Sequence, residues 1–153
     1  MPTVHVTDKT PLPPERVLEA ARDFSERRAE LWPDVHLEHF TVHDTGETWV
    51  DVTEGNPWPM MGLVWERLRY DWSKPGSVKG TVIASNLFKP GSTWEIRAQA
   101  KRDGSLVEVI AVRHLQGRGR LIAPVFPLGL AKQTVAGHLR HFLDKVQELE
   151  SRP

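Results

Sequence analysis

The spacing of apolar positions changes period three times along the chain. Residues 3–10 alternate between polar and apolar and are rich in β-branched side chains, which predicts a first strand. Pro11, Pro13 and Pro14 stop it, and proline suits the first turn of a helix. Val17, Leu18, Ala21 and Phe24 then give a helical face. Ser25 before Glu26 can cap a second short helix through Leu31, ended by Pro33. Two short helices with a bend near residues 23–25 is the reading adopted; one kinked helix is the alternative. The period then returns to two, predicting strands at 36–43, 47–54, 63–72, 78–85, 93–101 and 106–115. Turn residues Asp44-Thr45-Gly46, Lys74-Pro75-Gly76, Pro90-Gly91 and Asp103-Gly104 punctuate them. Gly55, Asn56, Pro57 and Pro59 predict a loop carrying Trp58, Met60 and Met61. Finally Val135, Leu139, Phe142, Val146 and Leu149 recur in steps of three and four, predicting an amphipathic helix over 129–149, about 30 Å long.

Strands that follow one another without helices between them pair antiparallel. The predicted class is therefore α+β: a curved antiparallel sheet of six to seven strands around a long C-terminal helix, with two short helices after the first strand, in one domain spanning 1–153. A single helix laid across so many strands leaves space beneath it, and that space predicts a cavity for a small molecule.

Lysine plus arginine equals aspartate plus glutamate at 20 each. Nucleic acid and anionic membranes require concentrated positive charge, so neither is the expected partner. The chain has no cysteine, which excludes disulfides, thiolate metal sites and a cysteine nucleophile. Residues 1–9 lack the apolar stretch of a signal peptide, and the most apolar run, 121–131, is broken by Pro124, Pro127 and Gly129. A soluble cytoplasmic protein without stable membrane insertion, monomeric or homodimeric, is expected. Six tryptophans (32, 49, 58, 65, 72 and 94) are many for this length and suit a core or the wall of an apolar pocket.

His36, His39 and His43 have a spacing that suggests metal ligands. In a strand, however, His36 and His39 point to opposite faces, while His39 and His43 lie about 13 Å apart. One ion with bonds of about 2.1 Å cannot bridge them, so no metal is expected. His138 and His141 share a turn of the last helix without a carboxylate nearby in sequence; they read as half-exposed positions or as a polar cavity wall. Along 65–72, alternation separates Trp65, Arg67, Arg69 and Asp71 from Glu66, Leu68, Tyr70 and Trp72. The second set is the more apolar and is expected to face inward. Glu66 would then have a raised pKa and, with Tyr70, would be a candidate acid–base pair. The alternative is an Arg–Glu lattice on a solvated sheet face. Trp94, Ile96, Ala98 and Ala100 form the cleanest apolar face, so Trp94 belongs to the core or to a cavity wall. Arg113, Arg118 and Arg120 form the one local basic cluster; it suits a ligand anion or RNA, or is simply a loop before the last helix. No Gly-x-Ser-x-Gly elbow or phosphate loop occurs.

Several segments together resemble the SRPBCC superfamily, which includes START, polyketide cyclase/dehydrase and Bet v 1-like proteins. They are the strand–Pro–helix opening from Val4 to Val17, Trp32-Pro33, Val52-Thr53-Glu54-Gly55, Trp65-Glu66-Arg67 with Tyr70-Asp71-Trp72, Pro90-Gly91-Ser92-Thr93-Trp94-Glu95, and the closing helix. The resemblance spans essentially the whole chain and is similar to small bacterial members of the superfamily. It implies a helix-grip fold and a hydrophobic tunnel between sheet and C-terminal helix that holds lipids, polyketides or other apolar molecules. The expected wall is Phe40, Met61, Tyr70, Trp94, Leu130, Val135 and Leu139, with Trp49, Trp65 and Glu66 as further members. No cofactor is implied. The expected function is a carrier or sensor of a hydrophobic small molecule. The alternatives are a polyketide cyclase or dehydratase using Glu66 and Tyr70, and a protein-partner module presenting Trp58, Met60 and Met61.

Overall fold

The computed structural model describes residues 3–58, 61–117, 120 and 128–152. Seven strands, β1 (Thr3–Thr10), β2 (Thr41–Thr45), β3 (Trp49–Trp58), β4 (Gly62–Asp71), β5 (Ser77–Ser85), β6 (Thr93–Lys101) and β7 (Gly104–Val112), form one antiparallel sheet. Their spatial order is β1-β7-β6-β5-β4-β3-β2, so β1 and β2 are the edges. Helices α1 (Pro14–Ala21) and α2 (Arg28–Leu31) follow β1, and α3 (Leu128–Glu150) closes the chain. This is the predicted α+β helix-grip arrangement, including the break between two short helices. At the break, Asp23 accepts bonds from both the backbone N–H and the hydroxyl of Ser25, a local turn that competes with helix continuation. Gly104 makes the β6–β7 hairpin tight: with φ of 140°, any Cβ there would collide with the Thr10 carbonyl.

Three boundaries differ from expectation. Residues 36–43 are not one strand. Leu37–His39 is a 3-10 turn closed by bonds from His39 N–H to the His36 carbonyl and from Phe40 N–H to the Leu37 carbonyl, and pairing starts only at Thr41. Since β2 is an exposed edge strand, burial on one face does not enforce its alternation. The strand premise used to separate the three histidines therefore does not hold; His43 instead hydrogen-bonds the Thr53 hydroxyl at 2.6 Å. Strand β3 runs through the predicted loop to Trp58 because β4 pairs with it to the end, Asn56 with Val64 and Pro57 with Leu63. Pro57 is tolerated because β2 pairs only with Val50–Thr53, leaving the other side of β3 open at Pro57. Strand β7 ends at Val112, and Leu115 makes only an isolated bridge to Phe88.

The core lies between the inner sheet face and the C-terminal half of α3. Val50, Val52, Leu68, Val78, Val82, Ile96, Val107 and Val109 come from the sheet, and Leu139, Phe142, Leu143 and Val146 from the helix. Arg140 fixes this half to β1 through the Asp8 carboxylate at 3.0 Å and the Lys9 carbonyl at 3.2 Å. Arg16 approaches Glu150 at 3.6 Å, which places the C-terminus of α3 beside α1.

Candidate functional site

Alternation on β4 puts Glu66, Leu68 and Tyr70 on the inner face, as expected; Leu68 and Tyr70 are buried. Tyr70 has its place because its partner across β5 is Gly80, where a Cβ would meet the tyrosine ring at 2.7 Å. On β3 the same parity that buries Val50 and Val52 turns Glu54 inward, directly across from Glu66. On β7, Val107, Val109 and Ala111 are buried, and the alternation continues to Arg113.

These inward polar groups form two ion pairs. The Arg28 guanidinium, 3% exposed, donates from Nε to Glu54 Oε1 at 2.8 Å and from a terminal nitrogen to the Ala21 carbonyl at 3.2 Å. It lies 4.2 Å from the centre of the Phe24 ring and 5.0 Å from that of Tyr70. The Tyr70 hydroxyl donates to the other Glu54 oxygen at 3.3 Å. The second pair joins Arg113 to Glu66 at 2.8 Å, with the guanidinium 4.6 Å from the centre of the Phe88 ring. Here the side chains keep 23% and 16% exposure, so this pair is reachable from solvent while the first is sealed.

The electrostatics follow from that setting. Burial raises the Glu66 pKa above the ordinary glutamate range; Arg113 opposes this, and the charges of Glu54 and Asp34 add to it. Burial and the neighbouring Glu54 hold the Tyr70 phenol well above its usual pKa of 10.0, so it stays a neutral O–H donor. Burial disfavours charge on Arg28 and Arg113, but the paired carboxylates outweigh it and both guanidiniums bind their protons more tightly than usual.

An aromatic chain connects this region to α3. Trp32 stacks on Phe142 with centroids 4.3 Å apart and meets Trp94 edge-on at 5.2 Å. Trp94 lies 6.5 Å from Tyr70, which contacts Phe24 at 4.9 Å. The buried indole N–H of Trp32 has no hydrogen-bond acceptor among the described residues.

Of the predicted wall residues, Tyr70, Trp94 and Leu139 lie within or against the core, with Phe40 and Val135 half-buried at its margin. Met61 is at the tip of the β3–β4 hairpin, and Leu130 is exposed. Trp49 and Trp65 are not on the inner face: they share the outer face with Arg67 and Arg69, and Arg69 stacks on Trp49 at 4.2 Å. Their parity is opposite to that of Val50, Glu66 and Leu68, which removes both from the wall. Of the predicted basic cluster, Arg113 reaches the inner face, Arg120 is exposed, and Arg118 lies outside the described residues, as does Met60.

The gap expected along the whole helix is filled over its C-terminal half, where Leu139, Phe142 and Leu143 are sealed. From Gly129 to His138, by contrast, α3 buries no side chain fully. The contacts of Arg16 and Arg140 set the direction of α3, so this half extends toward the end of the sheet that carries Arg113 and Glu66. The hollows at the surface of α2 and the 3-10 turn, such as one of about 550 Å³ lined by Ala29, Pro33, Val35, His36, Leu37 and Glu38, hold no comparable charge network.

Sequence reading missed Arg28, Glu54 and Asp34. Glu54 was legible by parity with Val50 and Val52. Arg28 was not, because a four-residue helix carries no periodic signal.

No family model matches the sequence, and no curated protein matches it. Solved structures do. TTHA0849 from Thermus thermophilus is 17% identical, with a TM-score of 0.80 over 98% of this chain and 100% of that one. The Zhui aromatase/cyclase from Streptomyces sp. R1128 is 12% identical, with a TM-score of 0.72 over 95% of this chain and 93% of that one. A START superfamily protein from Mycobacterium smegmatis is 13% identical, with a TM-score of 0.67 over 97% and 95%. Strand order, the long closing helix and these matches agree: the chain has the helix-grip fold that these proteins share.

Proposed function

We propose that this chain binds an apolar or amphipathic small molecule between the inner face of the sheet and the N-terminal half of α3. The observation that carries the reading is the solvent-reachable Arg113–Glu66 pair, set on an inner face whose other polar groups, Arg28, Glu54 and Tyr70, are sealed, and toward which the half of α3 with no fully buried side chain extends. Apolar walls with a few oriented polar groups are the usual make-up of a ligand pocket. The fold matches, which include an aromatase/cyclase and a START superfamily protein, support the same class of partner. Balanced charge supports a small molecule over nucleic acid. Affinity comes mainly from apolar surface removed from water, about 25 cal/mol per Å². No helix among the described residues is long and apolar enough to cross a membrane. The test is mass spectrometry of natively purified protein and of its solvent extract: a stoichiometric small molecule is expected, and an empty protein that takes up no apolar probe refutes the reading.

A second reading, a cyclase or dehydratase, is favoured by the inward Glu66 and the neutral Tyr70 phenol, close enough to influence each other electrostatically. A carboxyl whose pKa burial raises above the ordinary glutamate range holds a proton more readily and can donate it to a departing hydroxyl. Loss of water from a poly-β-ketone thioester, absent in Glu66→Gln, would support this reading; unchanged substrate would remove it.

A further inference from the structure

Resting on the binding reading above, we infer that the site takes an uncharged, oxygen-bearing molecule and excludes carboxylates and other anions. The charged groups that act on one another here are two cations, Arg28 and Arg113, and three carboxylates, Glu54, Glu66 and Asp34. Both cations are already committed, each within 2.8 Å of a glutamate oxygen. Asp34 is exposed, and its negative charge acts on both Glu66 and Arg113. An entering carboxylate thus meets excess negative charge, and could gain a guanidinium only by displacing Glu66 and leaving that carboxylate unpaired. A neutral carbonyl or hydroxyl faces no such conflict. A guanidinium has five N–H groups, and Arg113 uses two of them on Glu66, so donors remain for a ligand oxygen. The carboxylates in turn can accept from a ligand hydroxyl. The buried Trp32 N–H, in the ring cluster that reaches Tyr70 through Trp94, is a further donor without an acceptor among the described residues.

The experiment titrates the full chain with two probes of one ring system, 2-acetonaphthone (neutral) and 2-naphthoate (anionic), with Nile red as a larger neutral probe. Quenching of tryptophan emission and calorimetry report binding at neutral pH. Acetonaphthone is expected to bind at least about tenfold more tightly than naphthoate. Glu66→Gln, which frees Arg113, is expected to shrink or invert that ratio. Asp34→Asn, at an exposed position that leaves the fold intact, is expected to tighten naphthoate binding by about twofold to threefold without changing acetonaphthone binding. Naphthoate binding as tightly as acetonaphthone to the unmodified chain, or a ratio that neither variant moves, overturns the inference and leaves the binding reading standing. If both neutral probes and naphthoate fail to bind, the binding reading itself falls, and the inference with it.

Discussion

Replacing Arg28 by methionine keeps most of the side-chain volume against Phe24 and Tyr70 but removes the charge. Glu54, whose side chain is 11% exposed, would then lose its 2.8 Å partner, leaving an uncompensated carboxylate in the interior. Breaking a buried pair from one side costs about 3–5 kcal/mol. For a domain of this size each kcal/mol lowers the melting temperature by about 2–4 °C, so the expected fall is about 6–20 °C. Removing both partners, as in Arg28→Met with Glu54→Leu, eliminates the stranded charge but leaves the Tyr70 hydroxyl without its acceptor, at about 1–3 kcal/mol. Adding Tyr70→Phe removes that debt, and the triple variant should return to within about 1 kcal/mol of the parent. Urea unfolding followed by far-UV circular dichroism gives the four free energies at constant m-value. A single Arg28→Met variant that costs under about 1 kcal/mol would refute the reasoning, because it would mean that Glu54 is solvated or finds another partner. A triple variant as stable as the parent but unable to bind neutral probes would show that the network is kept for recognition rather than for folding.

Three further outcomes are expected. Gly80→Ala forces a Cβ to 2.7 Å from the Tyr70 ring and should cost about 1–3 kcal/mol in urea unfolding, while a cost near zero would mean that the ring is free to move. Phe142→Ala, at a side chain with no exposure that is stacked on Trp32, should cost about 3–5 kcal/mol and shift the tryptophan emission; a smaller loss would contradict the tight packing of this half of α3. For Glu66, burial makes the native state hold the proton more tightly than the unfolded chain does, so its contribution is most favourable below the ordinary glutamate range and is lost as pH rises through the native pKa. The stability of the parent relative to Glu66→Gln should therefore fall as pH rises above the ordinary glutamate range, and a flat or rising difference would contradict the buried setting.

Much of the fold was legible from local pattern alone. The period-two segments, their turn residues and the final helical stretch predicted all seven strands and the closing helix, because side-chain alternation and proline or glycine punctuation belong to the residues themselves. The same parity placed Glu66, Tyr70 and Trp94 inside. It failed at 36–43 and at Pro57, where neighbours rather than local pattern set the strand ends. Strand β2 is an exposed edge, and β4 supplies the pairing that carries β3 onward.

What the sequence by itself determined, then, is the order of elements and which residues share a face, since both follow from bonded geometry within a few residues. Only the tertiary structure decided how the charges pair: Arg28 meets Glu54 across 26 residues and Arg113 meets Glu66 across 47. It also decided that α3 buries Leu139, Phe142 and Leu143 fully while no side chain from Gly129 to His138 is fully buried. Such partnerships depend on how distant segments dock and on how burial makes charges seek each other, and neither leaves a periodic trace in the chain.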